Sequence, residues 1–158
     1  MKPITALGPD GVDTDPKAIV PSLLQISKSI RAILGLRLAE IGIFNGQDEM
    51  LLCLEDGDQL SISTLADRLQ VRPSTVSKMA DRLAENGLLS RHRDLADTRV
   101  TLIGITEQGL QTRMKVMVIR ERLETELRRG YAPQDTASLI ESITALEKLL
   151  RRRVARFR

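Results

Sequence analysis

The sequence predicts a mainly α-helical protein with one small antiparallel β hairpin. Three observations carry this. Apolar residues recur at spacings of three and four over most of the chain, the signature of helices that bury one face. The pattern changes to period two only between Leu88 and Ile105. Of the 158 residues, 42% are hydrophobic and 28% charged, as in a folded globular protein, yet aromatics make up only 2%. With Phe44, Phe157, Tyr131 and no Trp, the core must be built from Leu, Ile, Val, Met and Ala.

Taken in order, residues 1–16 contain Pro3, Gly8, Pro9, Gly11, Pro16 and three aspartates, and read as a flexible N-terminal tail. A helix is expected from Lys17 to Ala39, with Ile19, Leu23, Ile26, Ile30, Ile33 and Leu34 on its apolar side and Ile41 continuing the pattern. Gly42, Asn45 and Gly46 mark a turn. Gln47 to Leu54 makes a short apolar helix, stopped by Glu55-Asp56-Gly57-Asp58.

Residues 61–87 carry the most information. Ser61 or Ser63 caps a helix whose apolar side is Leu65, Ala66 and Leu69. Gln70-Val71-Arg72 forms a tight turn, and Pro73 sits at the first position of the next helix, where its missing N–H costs nothing. That helix ends at Asn86-Gly87. Val76, Met79, Ala80 and Leu83 form its buried stripe, leaving Ser74, Thr75, Ser77, Lys78, Asp81 and Arg82 outside. Two short helices joined by a tight turn, the second exposing hydroxyls and a cation near its N-terminus, describe a helix-turn-helix.

Strands follow at Leu88–Arg93 and Arg99–Ile105, and Arg91, His92, Arg93 and Arg99 make this hairpin a basic wing. Gly104 predicts that the second strand bulges or ends early. Thr106 caps a long helix through Leu110, Met114, Met117, Leu123 and Leu127, broken by Gly130. Pro133 opens a last helix whose Leu139, Ile143, Leu146 and Leu150 seam, widened by Ile140, Leu149 and Val154, is longer than a small core covers and points to a second chain.

Charge and composition narrow the function. Residues 1–60 hold 5 basic and 9 acidic residues, net −4, whereas residues 61–158 hold 19 and 12, net +7. A basic half suits a protein that docks one face on phosphates. The lack of aromatics argues against a single-strand stacking platform. One histidine, His92, and one cysteine, Cys53, exclude a His/Cys metal cluster and an intrachain disulfide. There is no GxGxxG, GxxxxGK[ST] or HExxH sequence, and no carboxylate pair stands out for catalysis. No enzyme and no cofactor are expected. No uninterrupted apolar run approaches the roughly 18 residues of a membrane span, and no secretory signal precedes the first helix. A cytoplasmic protein with no membrane partner is expected.

The order of elements, with Leu65-Ala66-Asp67-Arg68-Leu69, Pro73-Ser74-Thr75-Val76-Ser77, Asp81-Arg82-Leu83 and Glu85-Asn86-Gly87-Leu88, resembles the multiple-antibiotic-resistance regulator (MarR) family. Asp97-Thr98-Arg99 and Ile105-Thr106-Glu107-Gln108-Gly109 complete the set. The resemblance implies a winged helix-turn-helix at 47–109, flanked by a dimerisation helix and turn at 17–46 and C-terminal dimerisation helices at 110–158. The implied function is a homodimeric transcriptional repressor binding a pseudo-palindromic operator in double-stranded DNA.

The resemblance further implies that Ser74, Thr75, Ser77 and Lys78 enter the major groove, while Arg72 and Arg82 hold phosphates and Arg93 joins the DNA-binding set. Arg99 is expected in the minor groove, with Asp97 holding the wing. A small aromatic or amphipathic effector would relieve binding from a site near Ile30, Leu34 and Phe44. Cys53, set among Leu51, Leu52 and Leu54, reads as a core residue with a raised thiol pKa. An alternative from another class is a helical dimeric adaptor whose winged region binds protein.

Overall fold

The computed structural model describes residues 19–95 and 97–156. The expected tail at 1–16, the first two positions of the expected N-terminal helix, Ala96 and the last two residues lie outside these. The elements are α1 (Ile19–Ala39), α2 (Gln47–Leu52), β1 (Leu60–Ser61), α3 (Ile62–Leu69), α4 (Pro73–Glu85), β2 (Leu89–Arg93), β3 (Thr101–Ile105), α5 (Glu107–Arg128) and α6 (Pro133–Ala155). The described residues divide into two compact units, 19–120 and 121–156.

The core of the first unit contains Leu38, Ile43, Met50, Leu51, Leu54, Leu65, Val76, Leu83, Ile103 and Val116, all fully buried. It is aliphatic, as the composition requires. Leu38 is the one fully buried position of α1, because the chain folds back there: Ile41 and Ile43 both donate to the Leu38 carbonyl at 3.0 Å, and Gly42 takes φ 73° between them. Ile41 therefore leaves the expected helical stripe and packs from the turn.

The sheet has three antiparallel strands in the order β1-β3-β2, one more than expected. Two residues of β1 pair with Ile103 and Leu102, too short a strand to show period two in sequence. Gly104 does not bulge. It stays in register opposite Ser90 in a β3 that runs on to Ile105. A Cβ there would come within 3.0 Å of Ser90 Oγ and 3.3 Å of the Asp58 carbonyl, so the residue is small because two segments crowd it.

Along α5 the buried positions are Gly109, Thr112, Val116, Ile119 and Leu123, spaced three, four, three and four. Met114 and Met117, expected on that stripe, are exposed. In the second unit α6 has no buried residue, and Leu139, Ile140, Ile143, Leu149, Leu150 and Val154 all face outward. The helix α1 also exposes Ile19, Val20, Leu24, Ile26, Ile33 and Leu36. By length and composition α1 is apolar enough to cross a membrane, with an 18-residue window of mean hydropathy 1.3, although Lys28, Arg31 and Arg37 interrupt its sequence.

Candidate nucleic-acid interface

The helix-turn-helix is built by local chemistry. Ser61 caps α3 by accepting from the Thr64 N–H at 3.1 Å, and its hydroxyl also bonds those of Ser63 and Thr64. At the other end Gln70 takes φ 55°, the left-handed conformation that usually calls for glycine. Its N–H donates to Asp67 O at 3.3 Å and the Val71 N–H to Ala66 O at 3.1 Å, the paired closure of a Schellman turn. The chain leaves it extended at Arg72, and Pro73 opens α4.

Val76, Ala80 and Leu83 bury the inner side of α4, and Met79 packs partly beside them. Arg72, Ser74, Thr75, Lys78 and Arg82 are exposed, while Ser77 is only half-buried. The face thus presents hydroxyls and cations from one rigid element. Beside it lies a groove of about 270 Å³ lined by Phe44, Asn45, Gln47, Ser74, Thr75, Lys78, Met79 and Arg82. The sequence had not linked the α1–α2 connection to this face. Asn45 is held there by donating to the Arg31 carbonyl at 3.1 Å.

In the wing, Arg93 ends β2 opposite Thr101. The Asp97 carboxylate accepts from the Arg99 N–H at 3.0 Å, and the Val100 N–H donates to Asp97 O at 2.9 Å. Asp97 therefore braces the tip, and Arg99 is exposed on it. Arg91 forms an ion pair with Asp81 of α4, which ties wing to helix. By sequence Asp81 belongs to a motif of α4 and Arg91 to the basic wing, and nothing in the spacing pairs them.

A second pocket, of about 230 Å³, is lined by Arg31, Leu34, Asn45, Gly46, Asp48, Glu49, Leu69, Val71, Thr75, Met79 and Arg120. Asp48 is buried, accepts from Arg120 Nη2 at 2.5 Å and receives the Gly46 N–H at 2.9 Å. Of the residues expected near an effector, Leu34 lines this cavity, Phe44 lines the outer groove, and Ile30 lines neither. Cys53 is half-buried beside the core, and burial raises its thiol pKa, partly opposed by Arg68, whose Nη1 donates to the Cys53 carbonyl at 3.3 Å. Among the described residues no group of three or more His, Cys, Asp or Glu is placed to hold a metal.

Comparison with known proteins agrees with this geometry. The MarR family model matches residues 45–101. The chain is 31% identical over 114 residues to the HTH-type transcriptional repressor MdtR of Bacillus subtilis, covering 68% of this chain and 74% of that protein. The fold matches the Staphylococcus aureus MepR–DNA complex with a TM-score of 0.73 at 24% identity, covering 82% of this chain and 96% of that one. It matches Streptococcus pneumoniae FabT in complex with DNA with a TM-score of 0.75 at 18% identity, covering 87% and 98%. The repeated helix-turn-helix and wing, found at the residues whose motifs first suggested them, place this chain in the MarR family of winged helix-turn-helix transcriptional regulators.

Proposed function

We propose that this protein is a homodimeric repressor that reads a pseudo-palindromic operator in double-stranded DNA and releases it when a small effector binds. The observation that carries this reading is the shared exposed face of α4, where Arg72, Ser74, Thr75, Lys78 and Arg82 stand together. In this reading Ser74, Thr75 and Lys78 meet base edges in the major groove, with Ser77, half-buried, contributing from the margin. Arg72, Arg82 and Arg93 hold phosphates and set register. Arg99, braced by Asp97, enters the minor groove.

The dimer is supported by apolar side chains left exposed on α1 and α6. Their burial against a second copy satisfies the hydrophobic effect without a membrane, and a protein whose partner is DNA belongs in the cytoplasm. The domain roles follow: 17–46 and 110–158 join subunits, and 47–109 binds DNA. The effector reading rests on the pocket of about 230 Å³ that Leu34 lines. Thr75 and Met79 of α4 line both it and the outer groove, so an occupant of either space bears directly on the reading helix.

The test is to weigh the protein in solution and titrate it against genomic fragments at several salt concentrations. A dimer with a log–log salt slope of roughly −6 or steeper is expected, since each neutralised phosphate contributes about −0.9. A monomer refutes the assembly. A shallow slope refutes phosphate docking and favours the protein-binding adaptor.

A further inference from the structure

Asp81 is an awkward residue for a DNA-reading face. It stands on the exposed side of α4 between Lys78 and Arg82, where an unpaired carboxylate would repel phosphate. Its partner is Arg91, which lies on β2 opposite Ile103. Strand alternation puts Leu89, Arg91 and Arg93 on one face and Ser90 and His92 on the other. Leu89 anchors that face in the core, and the Asp81 pair is a second anchor one alternation further out. Arg93 follows about 7 Å beyond it at the usual rise per residue. Past that point the bonds within the hairpin include Asp94 N–H to Val100 O at 3.0 Å and Arg99 N–H to the Asp97 carboxylate.

From this arrangement we infer that the Asp81–Arg91 pair is a positioning element. It fixes the reach from the reading helix to Arg99 and so decides which base-pair steps the wing senses. Arg91 acts through Asp81 and does not itself specify sequence. Neutralising Asp81 also removes its repulsion for the DNA backbone. The inference rests on the DNA-binding reading above, and it gives Asp81 and Arg91 a role that their sequence positions did not suggest.

The test compares the full-length wild type, Asp81→Asn, Arg91→Gln and the exchanged pair Asp81→Arg with Arg91→Asp. Each is used to select from a randomised double-stranded DNA library. Both single variants are expected to keep the preferences of the operator centre while the A·T preference under the wing falls roughly fivefold to tenfold, and the exchanged pair is expected to regain most of it. A role in stability alone would weaken all positions together. Unchanged flank preference in Asp81→Asn, or no recovery in the exchanged pair, overturns the inference. A changed preference for cytosine at the centre also overturns it, since Asp81 would then be a direct reader.

A DNA-free measurement separates this from the wider reading. Nitroxides at Leu95→Cys and Glu85→Cys, in a Cys53→Ser background, report the distance between wing and helix. The Asp81→Asn substitution is expected to broaden that distribution, and an unchanged distribution overturns the tie. If the wild type selects no DNA while the distribution still broadens, the DNA-binding reading fails and the mechanical tie stands.

Discussion

Asp48 holds two elements at once: one carboxylate oxygen accepts from the Gly46 N–H at 2.9 Å, closing the start of α2, and the other accepts from Arg120 of α5 at 2.5 Å. The Asp48 side chain is only 5% exposed, whereas that of Arg120 is 38% exposed. The pair is therefore half-screened and worth less than a fully buried one. Removing Asp48 would still leave the Gly46 N–H and the guanidinium without their partner. Asp48→Ala is expected to cost about 2–3 kcal/mol, summing a lost cap and a broken pair, with Asp48→Asn costing about half as much. Urea unfolding midpoints of the two variants check this: an Asp48→Asn protein as stable as the wild type would mean that the charge contributes nothing.

Gly109 is the most crowded of the described glycines. A Cβ at this position would overlap the Leu88 carbonyl oxygen and crowd Ile105 Cγ1. The same carbonyl accepts from the Thr106 N–H at 3.1 Å, and Thr106 Oγ1 donates to Gly87 O at 2.7 Å while accepting from the Gly109 N–H at 3.0 Å. Helix α5 thus starts pressed against the end of α4. Gly109→Ala is expected to destabilise by about 3 kcal/mol or to prevent folding, although alanine is the better helix former. Circular dichroism during urea unfolding reads the effect directly. A variant as stable as the wild type would show that the segments separate easily.

Lys78 and Arg99 should fail differently. Lys78 projects from the exposed face of α4, and Arg99 from the braced tip of the wing. Lys78→Ala is expected to lose about 1–3 kcal/mol on the cognate site and to relax preference at particular base pairs. Arg99→Ala should weaken binding most where the sequence under the wing is A·T-rich. Both should reduce the salt slope, twice over in a symmetric dimer. Binding titrations at two salt concentrations decide, and an Arg99→Ala protein that binds like the wild type would reduce the wing to a structural hairpin.

Cys53 should be a poor redox sensor. Burial raises its thiol pKa, so at neutral pH less of it is thiolate, and thiolate is the reactive form. Alkylation of the native protein at pH 7 is expected to be slower than in urea, and to accelerate as pH rises. Cys53→Ser should leave DNA binding and its response to peroxide unchanged. Peroxide-sensitive binding that the substitution abolishes would assign Cys53 a sensing role.

Local rules made much of this molecule legible. Pro73 announced the start of α4, and the Val76, Ala80 and Leu83 stripe announced its buried side, because helix starts and amphipathic faces depend on residues a turn apart. Ser61 and Ser63 were equivalent caps by type, and only the backbone geometry selected Ser61. Met114 and Met117 show the limit of periodicity. Two apolar stripes fit α5, and the packing in the fold buries the one through Val116 and Ile119.

By itself the sequence determined the order of helices, the helix-turn-helix and the basic hairpin, since each is encoded by neighbours in the chain. The tertiary structure decided what depends on distant segments meeting. It brought Leu60 beside Ile103 to add a third strand, crowded Gly104 between Ser90 and Asp58, and set Phe44 beside Lys78. It also paired Asp48 with Arg120 and Asp81 with Arg91. A charge has no periodicity that names its partner. Its partner is fixed only when the burial of apolar faces brings separate elements to one place.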